Sequence, residues 1–153
     1  MSSAEIFNFI RIDDNTITAG QPTEEQLRAV SSEGFQSVIN LATIDPRYSL
    51  EDEQESCTSL GMAYFHIPVV WEDPKVEDYE EFKRVMTTLS DQKVLIHCAA
   101  NYRVTAFYAA YAKQYLGWSE ERASKLRAGI WESNPDWLMD DVWSDFIQTI
   151  DKL

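Results

Sequence analysis

Lys93-Val-Leu-Ile-His-Cys-Ala-Ala-Asn-Tyr-Arg-Val-Thr105 is the stretch on which the reading of this chain turns. Residues 93–97 form a short apolar run of the kind that becomes a buried strand, and they deliver the chain directly to Cys98. Residues 105–116 are rich in Ala and Tyr and end on Gly117, which predicts a helix. Cys98 therefore stands where a strand stops and the approach to a helix begins. Free backbone N–H groups and the helix dipole at such a junction favour negative charge, either a thiolate or a bound anion. A cysteine held there is activated as a nucleophile near neutral pH. On its own, a free cysteine is more often a small buried hydrophobe. With His97 before it and Arg103 soon after, the nucleophilic reading is the one we prefer.

Outward from this junction, strand and helix signals alternate. Residues 17–19 read as a strand ending at Gly20-Gln21-Pro22. Thr23 then opens a helix, with Thr23 and Gln26 spaced as a capping box and Gly34 near its end. Residues 37–42 read as a buried strand, 43–49 as a polar loop, and 50–60 as a helix closed by Gly61. A strand over 63–69 is ended by Pro68, and a helix follows over 76–89. Beyond the cysteine loop, Ser119 begins another helix. Asn134-Pro135 reads as an N-cap with proline in the first turn of a last helix over 136–150. No repeat, low-complexity tract or linker divides the chain, so residues 1–153 are expected to form a single domain. The alternation predicts an α/β fold with a mainly parallel central sheet and helices on both faces. Ligands of such sheets bind outside the carboxyl ends of the strands. That rule gathers the loops 43–49, 70–75 and 98–104, which carry Asp45, Arg47, Glu72, Asp73, Cys98 and Arg103.

Composition removes several function classes. The chain holds 26 acidic and 13 basic residues, a formal net charge of −13, which disfavours nucleic acid as a partner. An anionic substrate would need a local positive site strong enough to overcome that field. No apolar run is long enough to span a bilayer, and the start Met1-Ser-Ser-Ala-Glu lacks a basic and apolar leader. The expected compartment is the cytoplasm, or the periplasm if a leader has been removed. Two cysteines, Cys57 and Cys98, are too few for a disulfide scaffold. With His66 and His97 they do not supply zinc spacing, so neither a metal nor a cofactor is expected. Trp131, Trp137, Trp143 and Phe146 suit the core side of an amphipathic final helix better than a partner face.

His97-Cys98-Ala99-Ala100-Asn101-Tyr102-Arg103-Val104-Thr105 resembles the signature loop of the protein tyrosine phosphatase superfamily, His-Cys-x5-Arg-Ser/Thr. Thr18-Ala-Gly-Gln-Pro-Thr23, Ser37-Val-Ile-Asn-Leu41 and His66-Ile-Pro-Val69 resemble its small bacterial group. The phosphatase-like domain of that group also occurs in beta-lactamase-hydrolase-like proteins. The resemblance covers about residues 7–116. It implies a dual-specificity-phosphatase-like fold, here with extra C-terminal helices, and a phosphocysteine intermediate. It also implies roles. Cys98 attacks phosphorus, Asp73 in Trp71-Glu-Asp-Pro74 protonates the leaving oxygen with Glu72 as the spare acid, and Thr105 assists thiolate release. His97 fixes the loop by hydrogen bonding, and Ala99, Ala100, Asn101, Tyr102 and Val104 complete the cradle for the anion. His66 reads as structural.

The match departs at two positions. The family places Gly where this chain has Asn101, a mild change because Asn tolerates a left-handed backbone. The family also places Arg six residues after Cys, where this chain has Val104; Arg103 lies five after. In a full-length register Thr105 keeps the hydroxyl position, Val104 enters the cradle, and Arg103 turns away. In a shortened register Arg103 clamps the anion. We favour the full-length register, with Arg47 as the substitute cation to be weighed against a plain surface pair with Asp45. The function expected is a phosphatase acting on phosphotyrosine or small phosphoesters, weakened by the displaced arginine. Two alternatives stand beside it: an impaired phosphatase-like protein that binds an anion or a protein partner, and a rhodanese-like sulfurtransferase, whose loop is Cys-x4-Arg.

Overall fold

The computed structural model describes residues 2–153. Its strands are β1 (Ile10–Arg11), β2 (Thr16–Ala19), β3 (Ser37–Asn40), β4 (Ala63–His66) and β5 (Val94–His97). Its helices are α1 (Glu24–Ser32), α2 (Glu53–Ser59), α3 (Val76–Thr88), α4 (Tyr102–Tyr115), α5 (Glu120–Trp131) and α6 (Asp141–Asp151). The sheet order is β1-β2-β5-β3-β4, parallel throughout except for the edge pair β1 and β2. β5 lies between β2 and β3, so the cysteine loop leaves from the interior of the sheet and is flanked on both sides.

Side-chain alternation along the strands divides the apolar residues into two cores. Ile39, Val94 and Ile96 pack with Phe82 of α3, Phe107 of α4 and Trp143 and Phe146 of α6. Ile17, Val38 and Leu95 pack on the other face with Leu27 and Val30 of α1 and Cys57 of α2. This is the helix-covered α/β sheet that the strand and helix signals imply. Among the described residues, no helix is long and apolar enough to cross a membrane.

Local chemistry explains most boundaries. The Thr23–Gln26 capping box forms with both of its bonds, and Gly34, Gly61 and Gly117 take the positive φ that ends their helices. Other boundaries move. β3 and β4 end sooner than expected, yet pairing continues irregularly, with Ile67 N donating to Asn40 O and Val69 N to Leu41 O. The donor that Pro68 lacks falls between those two bonds. The helix expected over 136–150 begins at Asp141. Asn134 Oδ1 accepts from Asp136 N and closes a turn, whereas the helix is capped by Asp140, which accepts from Trp143 N. Consequently Trp137 is not on a helix and is 57% exposed, while Trp131, Trp143 and Phe146 are buried. α4 begins at Tyr102, three residues before the expected start, because Asn101 takes a left-handed backbone (φ 72°) and turns the chain directly into the helix. The edge strand β1 carries too little pattern to be foreseen.

Candidate active site

The cysteine loop is seated on the turn that follows β2. Gly20 N donates to Phe7 O and Gln21 N to Ala99 O. A Cβ on Gly20 would lie 2.7 Å from the Ala99 carbonyl oxygen, so only glycine allows the two segments to approach this closely. The N-terminal segment straps the other side: Asn8 Nδ2 donates to Ala100 O, and Asn101 Nδ2 donates to Asn8 O and Thr18 Oγ1. Asn101 thus supplies the left-handed turn that glycine gives elsewhere, and adds two anchoring bonds.

Behind the loop lies a buried polar chain. His97, fully buried, directs Nδ1 at Cys98 O (3.1 Å) and Nε2 at Glu53 Oε2 (2.5 Å). Glu53 Oε1 accepts from Gln21 Nε2 at 2.8 Å. Burial works against ionisation of Glu53, but the His97 charge and the bonds from His97 and Gln21 outweigh it and hold the carboxyl below its ordinary range.

In front of Cys98 opens a cavity of about 710 Å³. Cys98, Ala99, Ala100, Tyr102 and Arg103 line its floor. Among the described residues the first three amides of α4, those of Tyr102, Arg103 and Val104, donate to no protein acceptor, because Thr105 N, bonded to Asn101 O, is the first amide of the helix to be used, whereas Asn101 itself is engaged in the bridge between Gly20 and Ala100. Arg103 is 5% exposed and donates Nη1 to Val69 O at 2.9 Å. Its guanidinium lies 5.8 Å from the Trp71 ring, and its Nε is buried without a partner.

This geometry corrects the favoured register. Arg103 faces the cavity and Val104 does not: Val104 has no exposure and belongs to the core with Phe107 and Tyr108. The physical reason is the early start of α4. Once helical geometry begins at Tyr102, the apolar core claims the Val104 side chain. Thr105 is likewise spent locally, its hydroxyl donating within the first turn to the carbonyls of Asn101 and Tyr102. Asp73 is displaced as well. It is exposed and paired with Lys75 at 2.7 Å, while its neighbour Glu72 lines the cavity. Arg47 reaches the cavity rim, but Asp45 holds it in a fork. That fork pulls the Asp45 carboxyl down to about 2.

Three contributors were not foreseen from the sequence. Glu53 is one acid among several near the start of α2, and no local pattern marks it. Trp71 stacks on Trp131 (centroids 5.6 Å apart, planes at 15°) and packs against Trp143 at 5.3 Å, making it the hub of the cavity wall. Trp143 Nε1 also donates to Trp71 O at 2.8 Å, which ties the loop after β4 to α6.

The family model described as "DSP-PTPase phosphatase fused to NAD+ Kinase" matches residues 11–135. The beta-lactamase hydrolase-like protein of Xylella fastidiosa is 28% identical over 103 residues, 65% of this chain. That stretch is 24% of the relative, so the match takes in about a quarter of its length. A crystal structure of a candidate phosphatase of the DUF442 group from Shewanella putrefaciens superposes with a TM-score of 0.84 at 29% identity, over 98% of this chain and 95% of that one. TpbA of P. aeruginosa, solved in complex with phosphotyrosine, shares the fold with a TM-score of 0.73 at 13% identity, over 99% and 91% of the two chains.

Proposed function

The chain belongs to the DSP-PTPase phosphatase family, and on that footing we propose that it hydrolyses phosphomonoesters through a phosphocysteine intermediate. The observation that carries this reading is the conjunction at the cavity floor: the Cys98 thiol, the unspent amides of residues 102–104 at the start of α4, and a buried Arg103 with an unpartnered Nε. Amides at a helix start and a guanidinium are the donors that a transferring phosphoryl group requires.

The thiolate of Cys98 attacks phosphorus, so an S–P bond forms as the P–O bond to the leaving group breaks. Glu72, which lines the cavity and is not forked onto a cation as Asp45 is, gives its proton to the leaving oxygen. Water then attacks phosphorus, the S–P bond breaks, and its proton returns to the carboxylate. Asp73 can take this role only by giving up Lys75. Two cations and two carboxylates meet in the cavity, namely Arg47, Arg103, Asp45 and Glu72, and the chain as a whole is acidic. That balance fits a single phosphoryl group and opposes a polyphosphate. Phe7, Tyr48 and Trp137 at the mouth suit an aryl ester such as phosphotyrosine, the ligand with which TpbA was solved.

A binding-only role draws on one observation, that Arg103 already spends Nη1 on Val69. Turnover decides between the two. Hydrolysis of para-nitrophenyl phosphate and a phosphotyrosine peptide is expected, with loss of both in Cys98→Ser and a phosphoryl adduct on Cys98 after acid quench. Phosphate binding without any turnover selects the binding role, and sulfur transfer from thiosulfate to cyanide without phosphate release overturns both.

A further inference from the structure

The buried chain behind Cys98 has a direction to it. A backbone carbonyl only accepts, so the bond between His97 Nδ1 and Cys98 O places a proton on Nδ1. At the other end of the ring, Nε2 meets Glu53 Oε2 at 2.5 Å, with the pair almost wholly removed from solvent. The Gln21 amide is oriented by its bond to Pro22 O, so that its N–H also faces Glu53 Oε1. Gln21 gives a donor to one oxygen of Glu53, and the lowering of this carboxyl by His97 and Gln21 favours the ionised form, which accepts at the other oxygen as well. Nε2 then carries the second proton of the ring.

We propose that Glu53 is a positioning residue for Cys98: its carboxylate holds a proton on each nitrogen of His97, and the charged ring, bonded to the Cys98 carbonyl, keeps the neighbouring thiol in its thiolate form. The inference rests on the reading of Cys98 as nucleophile and adds to it a residue 45 positions upstream in a different element. It also gives Gly20-Gln21-Pro22 a purpose beyond the turn, because Gln21 fixes Glu53 with its side chain and the loop with its amide.

The surrounding charges are few. Facing Glu53 are His97, Gln21, and at longer range His66 of β4. Tyr64 of β4 and Cys57 of α2 also face it, and burial first and then the Glu53 charge push both upward, Cys57 to about 12. Facing Cys98 across the cavity are Arg103, Glu72 and the Asp45–Arg47 pair. Among these, only His97 bonds to the backbone of Cys98 itself.

The test is the pH dependence of iodoacetamide alkylation at Cys98, read by peptide mass spectrometry with Cys57 as the slow reference: both thiols are buried, but Cys98 lines the cavity, whereas Cys57 lies outside it and is pushed up to about 12. Glu53→Gln can donate an amide N–H to Nε2, which leaves a neutral ring. The alkylation midpoint of Cys98 is then expected to rise by about one pH unit, close to tenfold slower labelling at neutral pH. In a His97→Gln background the same change is expected to shift nothing. A lower midpoint, as removal of a directly repelling carboxylate would give, overturns the proposal. So does an equal shift without His97. The unaltered protein supplies a second reading: nitrogen-15 NMR of the His97 ring is expected to show both nitrogens protonated through the neutral range, and one bare nitrogen overturns the proposal even if the variants do not fold. Neither measurement requires turnover. Failure of phosphate hydrolysis with an intact alkylation shift leaves this proposal standing, and the converse leaves the phosphatase reading standing.

Discussion

Moving the arginine one place along the chain separates the two registers of the cysteine loop. In the long register, Arg103→Ala with Val104→Arg would put a guanidinium where a phosphoryl group sits and raise turnover. The structure predicts the reverse. Val104 has no exposure and is enclosed by core residues, so replacing it forfeits about 1.5–3 kcal/mol of apolar burial. A guanidinium left there without a partner costs about 3–5 kcal/mol more. Together these approach the whole stability of a typical domain, about 5–15 kcal/mol. Arg103→Ala alone leaves the core intact and removes the cavity-facing donor. It is expected to lower kcat/KM by about two to three orders of magnitude, the effect of deleting one preorganised donor. Thermal unfolding followed by circular dichroism, with para-nitrophenyl phosphate kinetics on the same samples, reads both consequences. Arg103→Ala should unfold within a few degrees of the parent with its activity lost, and the double variant should lose its cooperative transition. A double variant that unfolds like the parent and turns over faster would refute the register described here.

Two further expectations follow from the loop's seat and from the proposed role of Glu72. Gly20→Ala drives a Cβ against the Ala99 carbonyl and Phe7, an overpacking of about 1–3 kcal/mol. It should lower Tm by several degrees and activity by a larger factor than Tm alone explains; parent-like values for both would show that the close approach is not needed. Glu72→Gln should slow hydrolysis of an alkyl phosphate more than of para-nitrophenyl phosphate, because the poorer leaving group needs the proton, whereas Asp73→Asn should do less in both. The opposite ranking would mean that Asp73 leaves Lys75 and enters the cavity during turnover.

The legible parts of this molecule were those written in local chemistry. Thr23 and Gln26 specify a cap by their spacing alone, and the apolar run before Cys98 specifies a buried strand delivering its last residue to a loop. Asn134-Pro135 looked equally local and misled, since the Asn134 side chain satisfies a tight turn and leaves capping to Asp140, six residues on. The arginine register was illegible for a different reason. Whether position 103 or 104 faces the cavity depends on where helical geometry begins, and the left-handed Asn101 sets that, anchored by side-chain bonds to Asn8 and Thr18, 93 and 83 residues away in sequence. Glu53 and Trp71 acquire their importance from His97 and from Trp131 and Trp143, partners that no window of neighbouring residues contains.

The ties to Trp71 also set a schedule. Trp71, in the loop that carries Glu72, packs on Trp131 and is bonded by Trp143, which follow it by 60 and 72 positions. During synthesis the strands, Cys98 and Arg103 are all made before those two rings exist. A nascent chain therefore carries Cys98 and Arg103 while one wall of the cavity is still missing. Closing loops of that span is slow relative to forming the helices themselves. The cavity should be completed late, with the docking of α6, so that helix sets when the site matures.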